Sequence, residues 1–141
     1  MKPINILLVE DNEGDIVLTM EALRDGKINN TVTVLRDGES AINFLENGIL
    51  EDLPDLILLD INLPKKNGHQ VLQFIKQTNR TRHMPVIMLT TSSSEADINS
   101  AYRNYANCFI TKPIELADFI VAVLKIEDFW INLVQLPKTN T

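Results

Sequence analysis

Cysteine is almost absent from this chain: Cys108 is the only one, so no disulfide can close within the molecule. It stands between Asn107 and Phe109 with no basic neighbour, which marks it as core filler rather than an activated thiol. Long apolar runs are missing too. The first, Ile4 to Val9, is ended by Glu10 and Asp11, too short for a signal-peptide core or a membrane span, so a cytoplasmic protein that makes no membrane contact is expected. There is no basic surplus. A formal net charge of −6 opposes attraction to nucleic acid or to anionic lipid. Neither a Gly-x-Gly-x-x-Gly turn nor a Gly-rich phosphate loop ending in Lys-Ser or Lys-Thr is present, which disfavours nucleotide and flavin binding. Low-complexity segments are lacking, and 141 residues suit a single domain with one core.

What is present is a regular alternation. The runs Ile4 to Val9, Leu56 to Leu59 and Val86 to Leu89 are apolar without a period of two, as central strands of a parallel sheet are when helices cover both faces. Thr31 to Arg36 alternates, as an edge strand does, and Asn107 to Thr111 is short and stops at Pro113. Helical spacing lies between them: Ile16, Met20 and Leu23; Ala41, Ile42 and Leu45; Val71, Leu72 and Ile75. A fourth helix is read from Ile98, Ala101, Tyr102 and Tyr105, with Ser94 as its N-cap. A fifth carries Leu116, Phe119, Ile120, Val123 and Leu124. Five strands alternating with five helices predict an α/β domain, a doubly wound five-stranded parallel sheet. With the first, third and fourth strands central, its order is 2-1-3-4-5. Ligands of such sheets bind beyond the strand carboxyl ends where the winding reverses, here after Val9 and Leu59.

The residues at those ends are Glu10, Asp11 and Asp60. Three carboxylates in one cleft are unfavourable unless a cation neutralises them, so the pattern predicts a divalent metal. All-oxygen ligation favours Mg²⁺, which keeps part of its shell for waters and phosphate oxygens. Thr90 closes the fourth strand and Lys112 the fifth. A hydroxyl donor and an ammonium opposite a metal are what a phosphoryl group needs. The bond before Pro113 is expected to be cis. Singly, each residue has an ordinary explanation as a helix cap or a solvated side chain. An acid pair, an acid, a hydroxyl and a Lys-Pro at the ends of four strands make that coincidence improbable.

The motifs Leu8-Val9-Glu10-Asp11-Asn12, Leu58-Leu59-Asp60-Ile61-Asn62-Leu63-Pro64 with Gly68 beyond, Leu89-Thr90-Thr91-Ser92 and Thr111-Lys112-Pro113 resemble the response-regulator receiver family. The likeness runs from about Asn5 to Lys125 and implies the flavodoxin/CheY-like fold. It further implies that Asp60 is phosphorylated from a phosphohistidine on a sensor histidine kinase. Asp11, Asp60 and the backbone carbonyl of Asn62 would hold Mg²⁺, and Glu10 would act through a metal-bound water. Thr90 and Lys112 would bind the phosphoryl group, and Phe109 would occupy the aromatic switch position. Such a protein is a signalling switch that takes part in its own phosphotransfer and autodephosphorylation, not an enzyme with external turnover. Some positions depart from the usual pattern. Phe109 lacks the hydroxyl of the tyrosine common there, and Thr91 is bulkier than the usual alanine or glycine, which predicts slower exchange with small phosphodonors. Glu10 in place of aspartate leaves the metal site intact.

The expected organisation is a receiver domain over residues 1–125 and an apolar extension over 126–141, with no output domain, so that the signal leaves through the protein's own surface. Phe129, Trp130 and Leu133 lie in a stretch too apolar for an inert tail; it packs on its own domain or joins two subunits as a homodimer. This tail, with the Leu89-Thr90-Thr91-Ser92 run, is similar to the small regulators of bacterial and cyanobacterial phytochromes, which implies a light-sensing kinase as partner. His69 and His83 read as surface residues, and Lys65-Lys66-Asn67-Gly68 as a solvated turn beside the acidic site. A haloacid-dehalogenase-type phosphatase also ends a strand in a nucleophilic aspartate. It needs a second acid two residues on, where this chain has Asn62. A degenerate receiver that works without phosphate is disfavoured because every key position is filled.

Overall fold

The apolar runs become strands because nothing along them interrupts extended backbone and each is punctuated by acids, prolines or glycines. In the computed structural model, which describes residues 4–25, 30–90, 99, 108–111 and 117, the elements run β1 (Ile4–Val9), α1 (Glu13–Asp25), β2 (Asn30–Leu35), α2 (Gly38–Asn47), a 3₁₀ turn (Leu50–Asp52), β3 (Leu56–Asp60), α3 (Gly68–Gln77), β4 (Val86–Thr90) and β5 (Cys108–Thr111). All strand pairs are parallel and the order is β2-β1-β3-β4-β5, as the sequence pattern predicts. The helices read as fourth and fifth, with the Ser94 cap, fall almost wholly outside the described residues. Asn99 and Ala117, one in each stretch, are helical.

Parallel strands turn alternate side chains to opposite faces, and here each face meets its own helices. Ile6, Leu8, Leu56, Leu58, Ile87 and Leu89 pack with Ile16, Ala22 and Leu23 of α1. Leu7, Val9, Ile57, Leu59 and Met88 pack with Ala41 and Leu45 of α2 and Val71, Leu72 and Ile75 of α3. β3 lies between β1 and β4 and is buried along its whole length, whereas β2 alternates between exposed and half-buried, as its edge position requires.

The helices begin on side chains that take up their orphan N–H groups. Asn12 Oδ1 accepts from the Asp15 N–H at 3.0 Å ahead of α1. Asp37 accepts from the Ser40 N–H at 2.7 Å and from its hydroxyl at 2.8 Å ahead of α2. Asn67 and Gln70 form a reciprocal capping box at α3, with both bonds at 2.9 Å. The C-terminus of α2 is met by a cation, as its partial negative charge favours. Arg80, from the α3–β4 connection, donates to the Glu46 carbonyl at 2.6 Å and also to that of Gly48.

Candidate functional site

The register places the acids. Val9 of β1 pairs with Leu59 of β3, so Glu10 and Asp60 follow side by side at the carboxyl-terminal rim, where the sheet reverses its winding between β1 and β3. Both are held by backbone bonds that continue the ladders: the Glu10 N–H donates to Leu35 O and the Ile61 N–H to Leu89 O, each at 3.0 Å. Glu10, Asp11 and Asp60 each bring a carboxylate oxygen to a point where all three lie within 4.8 Å of one another. Glu10 is fully buried and Asp60 is 4% exposed, while Asp11 faces solvent.

Acid burial of this kind needs compensation. Glu10 Oε2 accepts from the Asn12 N–H at 3.2 Å, and Asp60 Oδ1 from the Asn62 N–H at 3.4 Å. A cation between the three carboxylates would add to this compensation. Two oxygens on opposite sides of one Mg²⁺ stand about 4.2 Å apart, twice its usual bond length. The observed spacing is reached from that value by a small side-chain movement, or with Glu10 acting through a water. The donor set is hard and all-oxygen, which suits a divalent cation of this class.

The loop after β3 is tightly braced. Ile61 and Leu63 are buried, the Leu63 N–H donates to Ile61 O at 3.1 Å, and the Gly68 N–H donates to the same oxygen at 2.7 Å. A Cβ on Gly68 would overlap the Asp60 carbonyl oxygen and come within 2.7 Å of Ile61 Cα, so only glycine lets α3 begin this close to the acid. Lys65 has a φ of 69°, a left-handed conformation unusual for a residue with a side chain. Its charge lies near Asp37. Hydrogen bonds from Ser40, assisted by Lys65 and opposed by partial burial, hold the Asp37 carboxyl below the usual carboxylate range. At the same rim an exposed ion pair joins Arg36 to Glu13 at 2.6 Å.

Of the residues singled out in the sequence, Glu10, Asp11 and Asp60 come together, with Asn62 two residues beyond. Thr90 ends β4 and is paired with Thr111 at the end of β5, so the backbone of Thr90 lies on the same rim. Phe109 lies in β5 opposite Met88. The side chains of Thr90 and Phe109, together with Thr91, Lys112, Pro113, Phe129, Trp130 and Leu133, lie outside the described residues. His83 is exposed as expected. His69 is not: it is half-buried, with Nδ1 withdrawn from solvent, because α3 turns its second residue toward the domain. Asp37 and Gly38 were missed. The Asp37-x-x-Ser40 cap pattern was open to reading, but the contact Gly38 makes has no local signature.

The model of the response regulator receiver domain matches residues 6–124. Over 138 residues the chain is 44% identical to response regulator Rcp1 of Synechocystis sp., a match covering 96% of this chain and 94% of that protein. It is also similar to the crystal structure of the phosphorylated cyanobacterial phytochrome response regulator RcpA, with a TM-score of 0.78 and 41% identity over 92% of this chain and 95% of that one. The Mn²⁺-bound form of Rcp1 superposes with a TM-score of 0.77 at 42% identity, covering 93% and 96% of the two chains.

Proposed function

The chain belongs to the response-regulator receiver family, a component of two-component signalling, and from that premise we propose that Asp60 is its phosphoacceptor. The observation that carries this reading is the meeting of the Glu10, Asp11 and Asp60 carboxylates within 4.8 Å at the reversal point of the sheet. An Asp60 carboxylate oxygen attacks phosphorus in line. The P–N bond of the donor phosphohistidine breaks, its electron pair returns to the imidazole, and an acyl phosphate forms on Asp60. The residues needed are for positioning and charge neutralisation, not for proton abstraction, since a carboxylate attacks without losing a proton.

In this reading Asp11, Asp60 and the backbone carbonyl of Asn62 would hold Mg²⁺, and Glu10 would act through a metal-bound water. When bound, the ion would supply positive charge that stabilises the transferring phosphoryl group. The Thr90 hydroxyl donates to one phosphoryl oxygen and Lys112 pairs with another, aimed from the Lys112-Pro113 bond in its cis form. Phe109 is the ring that responds. The same site supports slow autodephosphorylation by water, so the protein is a switch that resets itself.

Family membership implies a sensor kinase as partner. The likeness to the cyanobacterial phytochrome response regulator RcpA favours a phytochrome-type histidine kinase here as well. Among the described residues, no helix is long and apolar enough to cross a membrane. A cytoplasmic setting, a receiver over 1–125 and an apolar extension over 126–141 that joins two subunits through Phe129, Trp130 and Leu133 complete the proposal. An output through a protein partner, not nucleic acid, fits the net charge of −6.

The test is incubation with Mg²⁺ and acetyl phosphate followed by intact-mass measurement of the wild type and Asp60→Asn. One stoichiometric, base-labile phosphoryl adduct on the wild type alone is expected. An unmodified wild type, or sustained phosphate release without an adduct, overturns the reading.

A further inference from the structure

We infer that Gly38, at the first turn of α2, is a positioning residue for the metal: α2 serves as an outer wall that sets where the loop after Asp60 stands. This rests on the metal-site reading above. Three observations carry it.

The first is contact. The Gly38 N–H donates to the Pro64 carbonyl at 3.2 Å, and the Lys66 N–H donates to the same oxygen at 2.8 Å. Gly38 therefore holds the middle of the 61–67 loop through the Pro64 carbonyl. The second is steric. A Cβ on Gly38 would overlap the Lys66 carbonyl oxygen and stand 2.7 Å from its carbonyl carbon. The obstructing atoms are backbone, so no side-chain rotation relieves them, and the loop itself must move. The third is the backbone of the loop between those two points. Lys65 is held at a φ of 69°, a conformation that persists in a residue with a side chain only where the surroundings over-determine it. The Gly38 contact on Pro64 and Lys66 flanks it on both sides.

The other anchors of this loop face inward. Ile61 and Leu63 are buried in the core, and Gly68 is bonded to Ile61. Asn62, whose carbonyl is assigned to the metal, is itself exposed and lies between two of these anchors, Ile61 and Leu63, with Pro64 the next residue on. Displacing Pro64 to Lys66 pulls directly on Leu63, whose N–H is bonded to the Ile61 carbonyl, and through it on the peptide units either side of Asn62. α2 cannot simply retreat, since Ala41 and Leu45 are buried in the core and Arg80 grips the carbonyls at its other end.

The test compares Gly38→Ala with Gly48→Ala in the full chain. Gly48 sits at the opposite end of α2, where a Cβ would crowd the Phe44 carbonyl oxygen at 2.7 Å, so it strains the same helix far from the loop. Mn²⁺ affinity is read by the loss of the free-ion paramagnetic resonance signal, and folding by circular dichroism melts. Gly38→Ala is expected to weaken Mn²⁺ binding about tenfold or more, the usual cost of losing a group that orients a ligand, and Gly48→Ala to leave it unchanged at similar loss of melting temperature. Asp37→Ala, which lets the first turn of α2 loosen without adding an atom, is expected to weaken Mn²⁺ binding in the same direction and remains informative if Gly38→Ala fails to fold. Unchanged affinity in whichever of the two folds, or an equal loss in Gly48→Ala, overturns the inference while wild-type binding stands. A wild type that takes up no Mn²⁺ overturns the metal site itself.

Discussion

Asp60→Asn should make the metal-free protein more stable and the metal-loaded protein less so, inverting the order of the two. One carboxylate oxygen from each of the three acids lies within 4.8 Å of the other two. At that separation two unit charges repel by about 0.9 kcal/mol at the dielectric of water and by about 3.5 kcal/mol at an effective value near 20. Asp60 takes part in two such contacts. One is with solvent-exposed Asp11, where the smaller figure applies, and the other with fully buried Glu10, where the larger is the upper bound. Asparagine keeps the shape and an acceptor for the Asn62 N–H while removing the charge. A net gain of about 2 kcal/mol is expected, equivalent to a rise of about 1 M in the urea midpoint at a typical slope. Mg²⁺ at a hundredfold excess over its dissociation constant then adds about 2.7 kcal/mol to the wild type alone. Urea titrations of both proteins in chelator and in saturating Mg²⁺ read all four values. Added salt should narrow the metal-free gap. Equal or lower stability of Asp60→Asn in chelator would show that these acids do not repel as their spacing requires.

Two further outcomes can be checked. The Asp37 carboxyl has a depressed pKa when folded, so its contribution is present above the ordinary value of 3.8 and fades as the pH falls through that value to the lower folded one. Asp37→Ala should therefore cost about 1 kcal/mol near neutrality, as loss of an N-cap does, with the gap closing below that pH in chemical denaturation. Truncation after Lys125 should halve the sedimenting mass of the full chain; an unchanged mass removes Phe129, Trp130 and Leu133 from any subunit contact.

The strands were the most legible part of the fold. Ile4 to Val9 has the same limits in sequence and fold, because it is an apolar run ended by two acids, whereas the runs Leu56 to Leu59 and Val86 to Leu89 each stop one polar residue before the strand does. Their apolarity also settled the sheet order, since only central strands are covered on both faces. The acids were legible because the residue after a central strand lands on the rim whatever the loops do. Contacts between distant loops were not legible. Gly38 against Lys66, and Arg80 on the end of α2, join residues with no shared periodicity, and the Leu50–Asp52 turn follows from no pattern of two or of 3.6. Apolarity alone gives no sign of Thr19 in α1 or of Thr81 in the α3–β4 connection. Both are buried, and Thr81 satisfies its hydroxyl on the Ile75 carbonyl at 2.8 Å.

The division of each central strand between two helical layers also bears on how the gene for this protein can change. A point mutation at Leu58 disturbs only the α1 side, and one at Leu59 only the side of α2 and α3. Gaining or losing a single codon within either strand is another matter: every side chain beyond it would swap layers, and the acid at the strand's end would turn away from its two companions. Sequence length between Ile4 and Asp11, and between Leu56 and Asp60, is thus expected to stay fixed across descendants while the side chains drift.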